Sequence, residues 1–289
     1  MQDTHATIAT VLNEERARAE RGPMCTADPC HNPLCPVHAE GELERLDSAA
    51  WAPPAGAEPW RSLQEGRLDL ASLLDHTILR PDATRSDMEA GCREARELRC
   101  AAFCSNPIHV PQVAQLLSGS PVRVCTVVGF PLGATPTAIK VQETRWALSQ
   151  GAREIDMVIS NGMLKGRLYR EVFEDISAVV NTTHQADALC KVILETALLS
   201  PQEKIAVCLL ASRAGADFVK TSTGYSKSGA TPEDVALMRA VVGNALGVKA
   251  AGGIRSRTQA LAMVRNGANR IGTSSSLAIV NDRSSQEGS

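Results

Sequence analysis

Two short stretches place a lysine where an apolar strand gives way to glycine and hydroxyl residues. GADFVKTSTGYSKSG (215–229) carries Lys220 after Phe218 and Val219 and before Thr221, Ser222, Thr223 and Gly224. GVKAAGGIR (247–255) repeats the design, with Lys249 ahead of Gly252 and Gly253. An ammonium on a buried strand is costly unless it is paired or gives up its proton, and a lysine that gives up its proton is a nucleophile. Two such lysines on neighbouring strands raise each other's cost of being charged, which favours a neutral amine near pH 7. The competing reading is that each lysine lies at a strand end and reaches into water.

The elements that must position these lysines follow a regular pattern from Leu68 onward. Short apolar segments alternate with amphipathic ones, as in βα units with a parallel sheet. The candidate strands are Ser72–Thr77, Ala101–Ser105, Val122–Val128, Glu154–Ile159, Leu189–Glu195, Phe218–Ser222, Gly247–Ala251 and Arg270–Thr273. Thr135-Pro136, Ser200-Pro201 and Thr231-Pro232 each read as a capping oxygen before a first-turn proline, and Ser200 with Glu203 fits a capping box. Gly151, Gly215, Gly243 and Gly267 mark helix ends. Eight units in about 220 residues predict a (β/α)8 TIM barrel over 70–289, with a doubly wound open sheet as the alternative. Residues 1–69 read as an N-terminal extension, partly disordered.

Strands covered on both faces should be apolar, so each charge on one calls for a reason. Asp75 and His76, Asp156, Lys191, Glu195, Lys220 and Lys249 all fall on candidate strands, near the C-terminal mouth where barrel active sites lie. Together they suggest a proton-handling network with one discharged lysine, and a buried structural salt bridge is the alternative for Asp156. At the same face, Thr223-Gly224, Gly252-Gly253 and Thr273-Ser274-Ser275 end adjacent strands, and their backbone N–H groups can approach a phosphate. A short helix is expected to begin within Ser274–Ile279, with Arg255 and Lys227 as supplementary charge. Gly129–Gly133 forms a loop over the mouth, and Cys104 reads as a core cysteine in preference to a reactive thiol.

Composition narrows the function classes. The chain of 289 residues holds 30 basic and 32 acidic residues and only 3% aromatics, which argues against nucleic acid and an anionic membrane as partners. No run approaches a membrane span and no secretory signal is evident, so the protein reads as soluble and cytoplasmic. Of nine cysteines, six (Cys92, Cys100, Cys104, Cys125, Cys190, Cys208) sit singly in apolar patterns, as small core residues do in a reducing compartment. In the extension, a charged helix is expected over 5–21. Cys25, Cys30, Cys35 and His38, with His31 as a spare, offer ligands for zinc, but their compressed spacing is unlike two separated knuckles and favours a Pro-rich linker through Pro53, Pro54 and Pro59.

The ordered set LLDHTILRPDAT, FCSNP, VCTVVGFPLGATPT, EIDMVIS, KVILET, GADFVKTSTGY, GVKAAGGIR and RIGTSS, from Leu70 to Val280, closely resembles the deoxyribose-phosphate aldolase family. The resemblance implies a class I aldolase that forms its Schiff base on Lys220 and needs no metal or organic cofactor. Lys249 would then tune that amine, Asp156 would move protons through water, and Asp75 and Lys191 would support them. Gly224, Gly252, Gly253, Ser274 and Ser275 would contact a phosphosugar, with aldehydes as the other partners. Tyr225 stands where some relatives have Lys or Phe, and the tail NDRSSQEGS lacks the tyrosine that some relatives use. Two rival readings are a lysine aldolase for a different phosphosugar and a non-catalytic barrel that binds a sugar phosphate; homo-oligomerisation is left open.

Overall fold

Eight short parallel strands pair in sequence order and close on themselves, β8 returning to β1, in a (β/α)8 barrel. The computed structural model describes residues 57–282 together with Thr10. Apart from Thr10, the expected helix over 5–21 and the Cys25, Cys30, Cys35, His38 segment lie outside the described residues, as does the tail from 283. The strands are β1 (Leu74–Ile78), β2 (Ala102–Ser105), β3 (Arg123–Val128), β4 (Glu154–Val158), β5 (Leu189–Ile193), β6 (Phe218–Lys220), β7 (Gly247–Ala251) and β8 (Arg270–Thr273). The helices are α1 (Ala57–Gln64), α2 (Arg85–Leu98), α3 (Val110–Leu116), α4 (Thr137–Ser149), α5 (Asn161–Lys165), α6 (Tyr169–His184), α7 (Pro201–Arg213), α8 (Pro232–Val242), α9 (Arg257–Arg265) and α10 (Ser276–Asn281).

All eight expected strands are present, and their ends differ for local reasons. Asp69 accepts a hydrogen bond from the Ala71 N–H and turns Leu70–Leu73 into a 3₁₀ segment, so β1 starts two residues later than expected. Glu195 leaves the β5 line altogether, with φ 59 in the left-handed region. The capping boxes behave as the sequence implies at Ser200, and Thr231 accepts from the Asp234 N–H. Thr135 does not cap: Pro136 is itself the residue before α4 and contributes no side-chain bond. Pro59 lies inside the first turn of α1, where its missing N–H leaves no partner unsatisfied, so the segment expected as linker is helical there. Trp60 and Leu63 of α1 pack on the barrel core, and the Arg265 guanidinium of α9 lies 4.3 Å over the Trp60 ring.

The main core fills the space between strands and helices. A buried ion pair between helices joins Lys140 of α4 to Asp175 of α6 at 2.5 Å, with Val158 O as a second acceptor at 2.9 Å. Inside the barrel the side chains stack in layers contributed by alternate strands. The strand registers place Ala102, Glu154, Phe218 and Arg270 in the lowest layer and Asp75, Cys125, Lys191 and Lys249 above them. Cys104, Asp156, Lys220 and Gly272 come next toward the C-terminal mouth. One side of the lumen is apolar, formed by Leu79, Ala102, Cys104, Cys125 and Val127. The other side is charged. No helix among the described residues is long and apolar enough to cross a membrane.

Candidate active site

Strand alternation decides which polar residues enter the lumen. On β1, Asp75 points inward, while His76 points into the helix layer, where its Nδ1 lies 2.8 Å from Ser276 Oγ and its ring sits 5.6 Å from Phe103. His76 therefore does not belong with the charges at the mouth. Asp156, Lys191, Lys220 and Lys249 all project inward and meet at one carboxylate. Asp156 Oδ2 accepts from Lys220 Nζ at 2.8 Å and from Lys249 Nζ at 2.7 Å, while Oδ1 accepts from Lys191 Nζ at 2.8 Å.

A second tier fixes the lower two lysines. Asp75 Oδ2 lies 2.5 Å from Lys249 Nζ and Glu154 Oε2 lies 2.5 Å from Lys191 Nζ. Arg270 joins both carboxylates from below, at 2.6 Å to Asp75 Oδ1 and 3.2 Å to Glu154. Burial opposes charge on Asp156, yet Lys191, Lys220 and Lys249 outweigh it and hold this carboxyl well below the usual range. Asp75 is lowered in the same way, by Arg270, Lys249 and Lys191 against burial. The stability that Asp156 contributes is complete above its unfolded value near pH 4 and is lost only as the pH falls through its lowered native value.

The lysines divide into two kinds. Burial works against the charge of Lys249, but Asp156 and Asp75 raise its pKa; Lys191 is likewise raised against burial by Asp156, Cys125, Glu154 and Asp75. Lys249 is thus held by two carboxylates and Lys191 by three, Asp75 at 3.8 Å being the most distant. Lys220 has one, and shares the oxygen it touches with Lys249. Inside the lumen the four cations Lys191, Lys220, Lys249 and Arg270 face the three carboxylates Asp75, Glu154 and Asp156, and the exposed Arg123 adds a fifth cation 3.7 Å from Glu154. In a low-dielectric interior such an excess of cations is costly, and Lys220 is the amine with the fewest anionic partners. The mutual crowding of two lysines expected from sequence is therefore asymmetric: Lys249 is the fixed cation.

Above this network opens a cleft of about 510 Å³, and Lys220 is the lysine of the three that lines it. Gly224, Gly252, Gly253 and Ser274 border the cleft, as does Arg255. Gly252 and Gly253 take φ 91 and 79, so two successive peptides turn in a way that L side chains rarely adopt. Ser275 stands outside this lining, with its N–H donated to Thr273 Oγ1 at 2.9 Å as α10 begins. Lys227 is exposed and does not reach the lining either. Arg80, Asp87 and Tyr225 do border the cleft and were missed as site residues. Arg80 is held by Asp82 at 2.9 Å and Asp87 at 2.5 Å. The sequence signal for Arg80 was its place in the polar loop after β1, on the same face as the glycine loops.

Gly229 anchors that glycine loop from the neighbouring turn. A Cβ there would lie 2.1 Å from Gly252 O, so Gly229→Ala must displace the Gly252 backbone. The expected result is a rise in KM for a phosphorylated substrate of about tenfold or more with a smaller change in kcat, read by steady-state kinetics.

The six described cysteines are buried and unpaired. Burial pushes the Cys92 and Cys100 thiols up to about 12, which keeps them protonated and inert. Cys125 lies 3.3 Å from Asp156 Oδ1, and burial raises its thiol further still.

The family model described as DeoC/LacD family aldolase matches residues 70–281. A deoxyribose-phosphate aldolase of Clostridium perfringens strain 13 is 54% identical over 210 residues, covering 73% of this chain and 93% of the relative. One from Halalkalibacterium halodurans is 53% identical over 218 residues, covering 75% and 97%. Among solved structures, the tetrameric deoxyribose phosphate aldolase of Aeropyrum pernix superposes with a TM-score of 0.72 at 33% identity, covering 80% of this chain and 95% of that one. Barrel, reachable amine and glycine-lined cleft thus fall to a known class of enzyme, the (β/α)8 aldolases. Within that class, the chain belongs to the DeoC/LacD aldolase family.

Proposed function

We propose that this aldolase cleaves 2-deoxy-D-ribose 5-phosphate reversibly to D-glyceraldehyde 3-phosphate and acetaldehyde through a Schiff base on Lys220. The observation that carries the reading is that, of three lysines on one buried carboxylate, Lys220 alone borders the cleft. The relatives at 53–54% identity carry the substrate name.

The free amine of Lys220 attacks C1 of the open-chain sugar, and loss of water gives the protonated imine. Removal of the proton from the C3 hydroxyl lets the C2–C3 bond break. Its electron pair passes to C2 and on to the imine nitrogen, which leaves an enamine on Lys220 and releases glyceraldehyde 3-phosphate. Protonation of the enamine at C2 and hydrolysis then release acetaldehyde and restore the amine. Asp156 is the group placed to move these protons, through water in the cleft, because it already accepts from Lys220. Lys249 supplies a fixed positive charge beside Lys220, on the same oxygen of Asp156. Lys191 holds Asp156 by its other oxygen and Asp75 holds Lys249. The N–H groups around Gly224, Gly252, Gly253 and Ser274, with Arg255, form the side of the cleft suited to the phosphate. Ser275 supports that lip from outside.

The family match beginning at residue 70 supports reading 1–69 as an extension to a barrel domain, and a cytoplasmic enzyme acting on small metabolites fits that reading. The direct test is incubation with 2-deoxy-D-ribose 5-phosphate while both products are followed. Equal release of acetaldehyde and glyceraldehyde 3-phosphate is expected. Inertness toward this sugar with cleavage of another phosphosugar would move the chain to a different aldolase specificity, and inertness toward all of them would leave a binding barrel.

A further inference from the structure

A chain of hydrogen bonds crosses the mouth of the barrel without touching Lys220. It starts at Glu195, which is only 3% exposed and holds the left-handed backbone conformation noted above. Its Oε2 accepts from the Thr223 N–H at 3.3 Å and from the Thr223 hydroxyl. Thr223 Oγ1 in turn accepts from the Tyr225 N–H at 3.0 Å. Tyr225 then reaches across the opening, and its hydroxyl donates to Leu79 O at 2.7 Å, in the loop after β1. Leu79 O is fixed from the other side by Asn106 Nδ2 at 2.9 Å. The Tyr225 ring stands edge-on to Phe130, with centroids 5.5 Å apart and planes at 87°.

This strap has features that packing alone does not require. Non-glycine residues rarely hold φ near 60, and a buried carboxylate oxygen without a partner is costly; Glu195 shows both, since Oε1 has no hydrogen-bond partner among the described residues. Tyr225 remains 51% exposed, so its ring is not held there by burial. What the strap does is join the β6 loop to the β1 loop over the cleft, with Thr223, Tyr225 and Leu79 all on the cleft wall. A two-carbon aldehyde on Lys220 needs only the floor of that cleft. A phosphorylated acceptor must extend from Lys220 to the glycine loops after β7 and β8, and so passes beside the Tyr225 tether.

Resting on the proposed aldolase reaction, we propose that Glu195 and Tyr225 are positioning and specificity-determining residues for the phosphorylated acceptor aldehyde. They act through Thr223 to hold the β6 loop against Leu79, and they leave imine formation with the two-carbon donor unaffected. Tyr225→Phe removes the hydroxyl tether and keeps the ring against Phe130. Glu195→Gln keeps the shape and places an amide, in place of a carboxylate, opposite the two Thr223 donors.

The experiment compares both variants with the wild type in two assays. One is the rate of reductive labelling of Lys220 by acetaldehyde and cyanoborohydride. The other is kcat and KM in the synthetic direction, with D-glyceraldehyde 3-phosphate and with unphosphorylated D-glyceraldehyde. Tyr225→Phe is expected to raise KM for the phosphorylated acceptor about fivefold, as for one neutral hydrogen bond, and to lower the preference for it over the unphosphorylated one. Glu195→Gln shifts both in the same direction, and labelling of Lys220 stays within about twofold in each variant. An unchanged KM and preference in Tyr225→Phe overturns the inference, as does a fall in labelling that matches the fall in synthesis. A wild-type enzyme that fails to label at Lys220 overturns the Schiff-base reading and this inference with it.

Discussion

Lys220→Ala is expected to lose about 10⁵-fold or more in turnover while the barrel keeps its stability. The loss follows because no other amine can take over: Lys191 and Lys249 sit below the cleft, the first committed to three carboxylates and the second to two. The unchanged stability is the less obvious half of the expectation. Removing a partner from a buried ion pair is ordinarily destabilising, since it leaves an uncompensated charge. Here the removed amine is the one with the fewest anionic partners, and Asp156 is still held by Lys191 and Lys249. The cavity left by the lysine stem opens onto the cleft and fills with water. Urea denaturation at neutral pH should therefore give a midpoint near that of the wild type, beside an activity assay that reads background. A large loss of stability would mean that Lys220 is a structural ion-pair partner, as the competing reading of Asp156 has it.

Replacing Lys249 with leucine has the second largest expected effect, and its signature is a shift in pH. The Lys249 and Lys220 nitrogens are bonded to the same oxygen of Asp156. Two unit charges about 5 Å apart at an effective dielectric near 20 repel by about 3 kcal/mol, or about two pH units. Asp156 and Asp75 keep Lys249 charged, so it stands as a fixed cation beside Lys220 throughout the working range. The rising limb of kcat/KM should move about two units toward alkali, activity at pH 7 should fall about a hundredfold, and raising the pH should restore much of it. Lys249→Arg, which keeps the charge, should leave the limb close to its original place. A leucine variant with the wild-type profile would show that the two amines do not feel each other.

The charged lumen was legible in the sequence because a charge in a doubly covered strand stands out against apolar neighbours. Period-two alternation then carried Asp156, Lys191, Lys220 and Lys249 to the inner face together. Both Asp75 and His76 were expected at the mouth, yet adjacent residues on a strand face opposite ways, and Asp75 meets Arg270 in the lumen while His76 meets Ser276 outside it. The asymmetry between the lysines could not be read either, since it rests on Glu154 and Arg270, whose place in the lowest layer follows from barrel closure. Tyr225 illustrates the remaining limit. Its hydroxyl bonds to a residue 146 positions away, and nothing local in GYSKSG announces Leu79. Loop glycines were easier, because their role comes from their own backbone, and the one-residue difference between Ser274 and Ser275 turns on which N–H Thr273 takes up.

Treatment of the wild-type protein with acetaldehyde and cyanoborohydride at neutral pH, followed by digestion and mass analysis, tests most directly the claim that one barrel amine is free to react. An ethyl group is expected on the peptide containing Lys220, with the peptides containing Lys191 and Lys249 unmodified, and 2-deoxy-D-ribose 5-phosphate in place of acetaldehyde should leave the same ethyl group there. Label on Lys249, or label spread over surface lysines with none at Lys220, would contradict the account.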